Sequence, residues 1–201
     1  METHCDIVLL AAGASTRLGS PKQLLLYRQQ SLLQHAVELA MASMADRVIV
    51  VLGANAASII TETQNSKLSF IINPHWAEGM AASIRCGLSH SLMQNPVPQQ
   101  VLFMACDQPH INTDLLDKLI TSQRTSSCLI AGSQYAATIG IPAVFAASLF
   151  PDLLQLKGDT GARKLIQQYK DQVLAIPFEP GAVDIDTAAD YRGLQKNEIE
   201  K

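Results

Sequence analysis

The stretch Leu9-Leu10-Ala11-Ala12-Gly13-Ala14-Ser15-Thr16-Arg17-Leu18-Gly19-Ser20-Pro21-Lys22-Gln23 decides the fold. An apolar run over residues 7–10 leads into small residues, then an arginine, a glycine and a Pro-Lys pair. Such a run reads as a strand buried on both faces of a parallel sheet, and the small residues as the turn leaving its C-terminal end. Ligands of open α/β sheets bind at that edge. Small side chains let backbone N–H groups approach an anion, while Arg17 and Lys22 add mobile positive charge. A loop of this make-up is expected to hold a nucleotide triphosphate tail.

The spacing separates it from better-known phosphate loops. A Walker A loop has four residues between its glycines and Lys-Ser or Lys-Thr directly after the second. Here five residues separate Gly13 from Gly19, and Lys22 comes later. The dinucleotide pattern G-x-G-x-x-G is also absent, because Ala11 and Ala12 precede the first glycine. An ordinary tight βα turn would explain Ala-Ala-Gly alone, but it needs neither Arg17 nor Lys22.

Composition bounds the rest. The 201 residues fit one large domain, 1–201, and the 48% hydrophobic content with few aromatics fits an α/β core. A net charge of −3 gives no reason to expect nucleic acid or an anionic membrane as partner. Residues near the N-terminus lack the basic-then-apolar pattern of a secretion signal, and no apolar segment would span a bilayer. Cys5, Cys86, Cys106 and Cys128 show no C-x-x-C spacing, so zinc and dithiol redox readings are weak. A cytoplasmic location is expected.

Along the chain, helical periodicity covers residues 31–44, with Ser31 as N-cap, and strands are expected at 47–53, 68–73 and 100–106. Helices are expected at 56–64, 79–93 and from Asn112 or Thr113 to Arg124. This alternation predicts a mostly parallel sheet with helices on both faces. Beyond it, a strand is expected at 127–132 and a strand pair or kinked strand at 135–145. A helix at 158–169, a last strand at 172–178 and a closing helix complete the chain.

Three further stretches carry chemistry. Asp107, in Ala-Cys-Asp-Gln-Pro, follows a buried strand and so falls at the same sheet edge as the first loop; hard carboxylate oxygens there suit Mg²⁺ together with substrate phosphates. A turn cap is the plainer reading. Asp184-Ile185-Asp186-Thr187 spaces two carboxylates so that both face one way if extended, and either Asp186 or Thr187 could instead cap the last helix. Finally, Gly79-Met80-Ala81-Ala82-Ser83-Ile84 opens a helix on small residues, leaving room for a base or ribose near the backbone. The histidines show no metal-binding spacing.

Together these stretches resemble the nucleotidyltransferases related to the molybdenum cofactor guanylyl- and cytidylyltransferases. The family opening L-A-A-G-x-S-x-R-x-G-x-P-K fits residues 10–22, with Leu18 where methionine is common. The stretches G-M-A-A-S-I (79–84), D-Q-P (107–109), G-I-P-A-V-F (140–145), L-K-G-D-T-G-A-R (156–163) and D-I-D-T (184–187) follow in family order. The combination of G-M-x-x-S-I with G-D-x-G-A-R is similar to the cytidylyl branch, as are two alanines before Gly13 where the guanylyl branch tends to carry A-G-G. Ala188-Ala189 departs from the Pro-Glu common in relatives.

The resemblance implies a three-layer, Rossmann-like α/β nucleotidyltransferase fold and transfer of CMP from CTP to molybdenum-bound molybdopterin, with release of pyrophosphate. It implies catalytic roles for Arg17, Lys22 and Asp107. Nucleotide contacts fall to Leu10, Ala11, Ala12, Gly13, Ala14, Ser15, Gly79, Met80 and Ser83, and Mg²⁺ to Asp107 and Asp186. The segment 158–163 would face the pterin, and a molybdenum hydroxylase apoenzyme would receive the product. Two alternatives stay open: nucleotidyl transfer to another phosphorylated acceptor, and a non-catalytic accessory protein that hands over the cofactor. Retention of both carboxylates disfavours the second.

Overall fold

The computed structural model describes residues 3–62 and 69–199. Its strands are β1 (Cys5–Ala11), β2 (Leu26–Tyr27), β3 (Gln30–Ser31), β4 (Arg47–Leu52), β5 (Ser69–Ile72), β6 (Gln100–Ala105), β7 (Ile130–Tyr135), β8 (Thr138–Ala146) and β9 (Val173–Pro177). Its α-helices are α1 (Leu32–Ala42), α2 (Ala56–Glu62), α3 (Met80–Leu92), α4 (Thr113–Thr125), α5 (Phe150–Leu153), α6 (Arg163–Gln168) and α7 (Ala188–Ile199). Residues 63 and 64 of the helix expected at 56–64, and residue 68 of the strand expected at 68–73, lie outside the described residues. Among the described residues no helix is long and apolar enough to cross a membrane.

All seven residues of β1 are buried, as a central parallel strand requires. The side-chain period of two sends Ile7, Leu9 and Ala11 into one core with α1, α2 and α4. Val8 and Leu10 go to the opposite core with α3, α5 and α6. The sheet order is β5-β4-β1-β6-β8-β7-β9. Within this sheet every strand runs parallel to β1 except β8, which pairs antiparallel with both β6 and β7, while β2 and β3 form a separate antiparallel pair. The chain builds outward from β1 through β4 to β5, then returns to β6 on the other side. That reversal makes the β1/β6 boundary the topological switch point, where open α/β sheets form a crevice.

Local chemistry fixes several boundaries. Ser31 caps α1 with a full capping box: its hydroxyl accepts from the Gln34 amide at 3.1 Å, and the Gln34 side chain accepts from the Ser31 amide at 3.1 Å. Asn112 caps α4 by accepting from the Leu115 amide. The strand expected at 127–132 starts later, at Ile130, because residues 126–128 make the exit from α4 through Ser126 and Gln123. The helix expected at 158–169 begins only at Arg163. Gly158 and Gly161 stand at φ of 68° and 53°, left-handed backbone that breaks an α-helix, so 158–160 is a 3₁₀ turn. Residues 135–145 are a hairpin end and one strand, joined through Ala136 and Ala137 at φ of 45° and 56°. Positive φ at both central residues is the turn that suits a two-residue hairpin.

The C-terminal segment returns to the crevice on a small apolar cluster of Tyr27, Leu32, Ile185 and Leu194, flanked by Leu25 and Tyr191. The Tyr191 hydroxyl donates to the Leu26 carbonyl at 2.9 Å. The Ile185 amide donates to the Asp107 carbonyl at 2.9 Å, which brings residues 184–187 against the end of β6.

Candidate functional site

The loop after β1 is held by its carbonyls. The Gln23 side chain, fully buried, donates its amide to the carbonyls of Ala11 at 2.8 Å and Gly13 at 3.0 Å. The Ala54 amide donates to the Ala12 carbonyl at 3.1 Å. In a planar trans peptide the next N–H points opposite the carbonyl, so these bonds turn the amides of Gly13 and Ala14 away from Gln23 and Ala54. Ser15 sits at φ 55° and its hydroxyl accepts from the Lys22 amide at 3.0 Å, closing the loop on itself. Gln23 has no periodicity or motif signal; only its complete burial reveals it.

At the switch point lies a cavity of about 700 Å³. Leu10, Ala12, Gly13, Ala14, Arg17 and Lys22 line it from the first loop, and Gly79, Met80 and Ser83 from the start of α3. Asp107 and Asp186 line it from the far side. Ala11 and Ser15, expected to contact a nucleotide, are absent from the lining: Ala11 is 2% exposed in β1, and Ser15 is spent on loop closure. Ser83 is buried and accepts from the Asn73 side chain at 3.1 Å, while Met80 is 42% exposed.

The charged centre joins three distant segments. The Lys22 ammonium contacts Asp107 and donates to Asp186 at 2.9 Å, and Arg17 donates to the other oxygen of Asp186 at 3.0 Å. Burial works against the Lys22 ammonium, but the two carboxylates outweigh it and hold its pKa above the ordinary lysine value. The hydrogen bond from Lys22, with help from Arg17, holds Asp186 below the usual carboxylate range. Asp184 goes the other way, raised to about 6 by burial and then by the charges of Asp107 and Asp186. Cys106, beside Asp107, is fully enclosed and its thiol is pushed up to about 12 by burial, which removes it as a nucleophile.

The cap of the last helix falls to Thr187 and not to Asp186. Thr187 caps α7: its hydroxyl accepts from the Asp190 amide at 3.2 Å, while Asp190 accepts from the Thr187 amide at 2.7 Å. This reciprocal box caps α7 and leaves the Asp186 carboxylate on Lys22. The 158–163 segment touches both sides of the crevice. A Cβ on Gly79 would come within 2.1 Å of an Asp159 oxygen, and one on Gly161 within 2.7 Å of the Met80 sulfur, so that turn locks onto the start of α3. Its last residue, Arg163, donates to Thr138 at 2.9 Å on the β8 side. Asp159, Gln108 and Ile141, each inside a stretch that carries the resemblance, also line the cavity, as does Tyr135, which no motif singled out.

Comparison with known proteins places this geometry. The MobA-like NTP transferase domain profile matches residues 7–173. A protein named nicotine blue oxidoreductase, from Paenarthrobacter nicotinovorans, is 32% identical over 191 residues, 90% of this chain and 91% of its own. The molybdenum cofactor cytidylyltransferase of Escherichia coli is 23% identical over 188 residues, 92% of this chain and 93% of its own. The crystal structure of Rv0371c from Mycobacterium tuberculosis has a TM-score of 0.84 at 31% identity, covering 96% of this chain and 98% of that one. Another structure of Rv0371c is a manganese complex, with a TM-score of 0.81 at 30% identity and coverage of 96% and 99%. A profile match across most of the chain, spanning both the first loop and Asp107, makes the chain a member of the MobA-like NTP transferase family.

Proposed function

We propose that this protein transfers CMP from CTP to the terminal phosphate of molybdenum-bound molybdopterin, forming the cytosine dinucleotide and pyrophosphate. The observation that carries the reading is the convergence of Lys22, Asp107 and Asp186 beside an amide-presenting loop in one cavity. The phosphates of CTP lie along residues 12–14, with Arg17 and Lys22 neutralising the tail. Gly79, Met80 and Ser83 border the cytidine.

The acceptor phosphate is ionised near neutral pH, so its oxygen attacks the α-phosphorus without a general base. As that bond forms, the bond from the α-phosphorus to the bridging oxygen breaks and pyrophosphate leaves with the electron pair. Catalysis on this reading is positioning plus charge stabilisation by Arg17 and Lys22.

The donor set also suits Mg²⁺. Among the described residues no group of three His, Cys, Asp or Glu side chains is arranged around an ion. Asp107 and Asp186 nevertheless reach one cationic centre, the Lys22 ammonium. Two carboxylates completed by substrate phosphates are the usual Mg²⁺ habit. The ion would neutralise charge developing on the phosphates.

Pyrophosphate release measured with each NTP and Mg²⁺, with and without molybdopterin, tests the proposal. Release with CTP that depends on molybdopterin is the expected result. Release with CTP and a different phosphorylated acceptor alone would overturn the acceptor. No release under any condition, with cofactor bound, would leave the accessory role.

A further inference from the structure

The sheet order divides the cavity. The nucleotide loop follows β1 and the Gly79 segment follows β5, both on one side of Asp107. Tyr135 and Ile141 line the cavity from β7 and β8, on the other side. An acceptor must approach the α-phosphorus opposite the leaving pyrophosphate, so the wall away from the nucleotide loop is where it has to sit.

That wall is built around one ring. A Cβ on Gly140 would meet the Tyr135 hydroxyl at 2.5 Å, and one on Gly181 would meet the ring edge at 2.7 Å. Two backbone approaches therefore form a slot that only glycines allow. The Tyr135 hydroxyl donates to the Ile141 carbonyl at 3.0 Å. Gln108, buried beside it, donates to the Gly181 carbonyl at 3.0 Å and so ties the slot to the end of β6. The ring also stands at the mouth of the Ala136–Ala137 turn, whose positive φ values fix the chain direction. Tyr135 and Ile141 together line the cavity.

We infer that Tyr135, backed by Gly140 and Gly181 and flanked by Ile141, is the platform on which the flat heterocycle of the acceptor packs. The inference rests on the acceptor being a pterin, as proposed above. A rigid aromatic face recognises a flat ring through dispersion and stacking, at little cost in ordering because the ring is already held. Tyr135 is thus a specificity determinant for the acceptor and stands apart from the groups that hold CTP.

Pterin-6-carboxylate, which fluoresces and carries no phosphate to react, is the probe. Titrated into the CTP-saturated protein, it should be quenched saturably; Tyr135→Leu should weaken its binding about tenfold, and Tyr135→Phe should bind it as the wild type does. CTP affinity, read by calorimetry, should stay within about twofold in both. Because a leucine in that slot could unfold the protein, the wild type supplies a second readout. The tyrosine ring resonance missing from the Tyr135→Phe spectrum should shift upfield as pterin is added. Pterin binding that Tyr135→Leu leaves unchanged, or that leaves that resonance unmoved, would overturn the platform alone. Absence of pterin binding to the wild type, with turnover of another phosphorylated acceptor, would overturn both the platform and the pterin reading.

Discussion

Near each end of β1 a carboxylate is held by a basic side chain, and the two clusters are built differently. At the start of the strand Asp6 is fully buried; Arg47 grips it through two bonds, at 2.8 and 3.1 Å, and the Ser91 hydroxyl donates to it as well. The same guanidinium also donates to the Pro96 carbonyl at 2.8 Å, so the cluster is committed to the fold. At the other end Lys22 is shared between Asp107 and Asp186, Arg17 is 69% exposed, and Asp184 adds a further carboxylate. A planar fork fixed on one acid resists exchange, whereas a flexible ammonium between two acids can leave for a phosphate. We read one end of the strand as made for stability and the other for ligands.

The largest expected effect tests the first end. Asp6→Ala leaves Arg47 half-buried without its acid and should cost about 3–5 kcal/mol in denaturant unfolding, with CTP affinity unchanged in the protein that remains folded. The strand places the two clusters roughly 20 Å apart, far enough for independent effects. A loss of CTP affinity in folded Asp6→Ala would break the division. Next comes Asp107→Asn, expected to lower turnover about 10²–10³-fold while changing the unfolding midpoint little, because Lys22 keeps Asp186. Normal pyrophosphate release by that variant would remove Asp107 from the chemistry.

The half of the sheet from β5 to β1 and β6 was legible in sequence because β1, β4 and β6 are buried apolar runs ended by a turn signal, β5 is a short edge strand stopped by Pro74, and the helices repeat at helical spacing. Residues 10–22 and Asp107 could be read there too, since a strand end fixes where its next residues go. The far half was legible in part: the strands expected at 127–132, 135–145 and 172–178 stand as β7, β8 and β9, but their direction and the helix bounds could not be read. A single antiparallel strand, β8, and left-handed Gly158 and Gly161 interrupt the periodicity, so the helix expected at 158–169 shrank to α6. Asp186 could be suspected but not chosen over a cap, because the decision depends on Asp190, Thr187 and the packing of Ile185. Tyr135 was silent for a similar reason: the glycines that shape its slot lie 5 and 46 residues away in sequence.

Gln23 tests how the ligand end depends on buried structure. Gln23→Leu keeps the volume close to the original and strips the donor from the Ala11 and Gly13 carbonyls. Unpaired buried acceptors cost about 1–3 kcal/mol, part of which should appear as weaker CTP binding through a disordered loop. Calorimetry should give roughly tenfold weaker CTP with a smaller loss for cytidine, which has no phosphates for the loop to hold. Equal losses for the two ligands would make Gln23 a purely structural residue.

The smallest effect concerns Asp184, where carboxylates crowd the ligand end. Burial and the nearby charges of Asp107 and Asp186 raise it to about 6, so between its unfolded value and pH 6 the folded protein holds the extra proton. Stability contributed by this group therefore falls as pH rises through that window, and the penalty is complete above it. Asp184→Asn should raise the unfolding midpoint at pH 7.5 and leave it unchanged near pH 4. The side chain is exposed enough for solvent to screen it, which limits the gain to about 1 kcal/mol or less. Asp186, held low by Lys22, has the opposite slope: its contribution is present at neutral pH and is lost on acidification. Thermal unfolding of the wild type and Asp184→Asn across pH 4 to 8 separates the two. A gain that stayed constant over that range would mean the aspartate acts through packing, and the crowding of carboxylates around Lys22 would then carry no electrostatic cost.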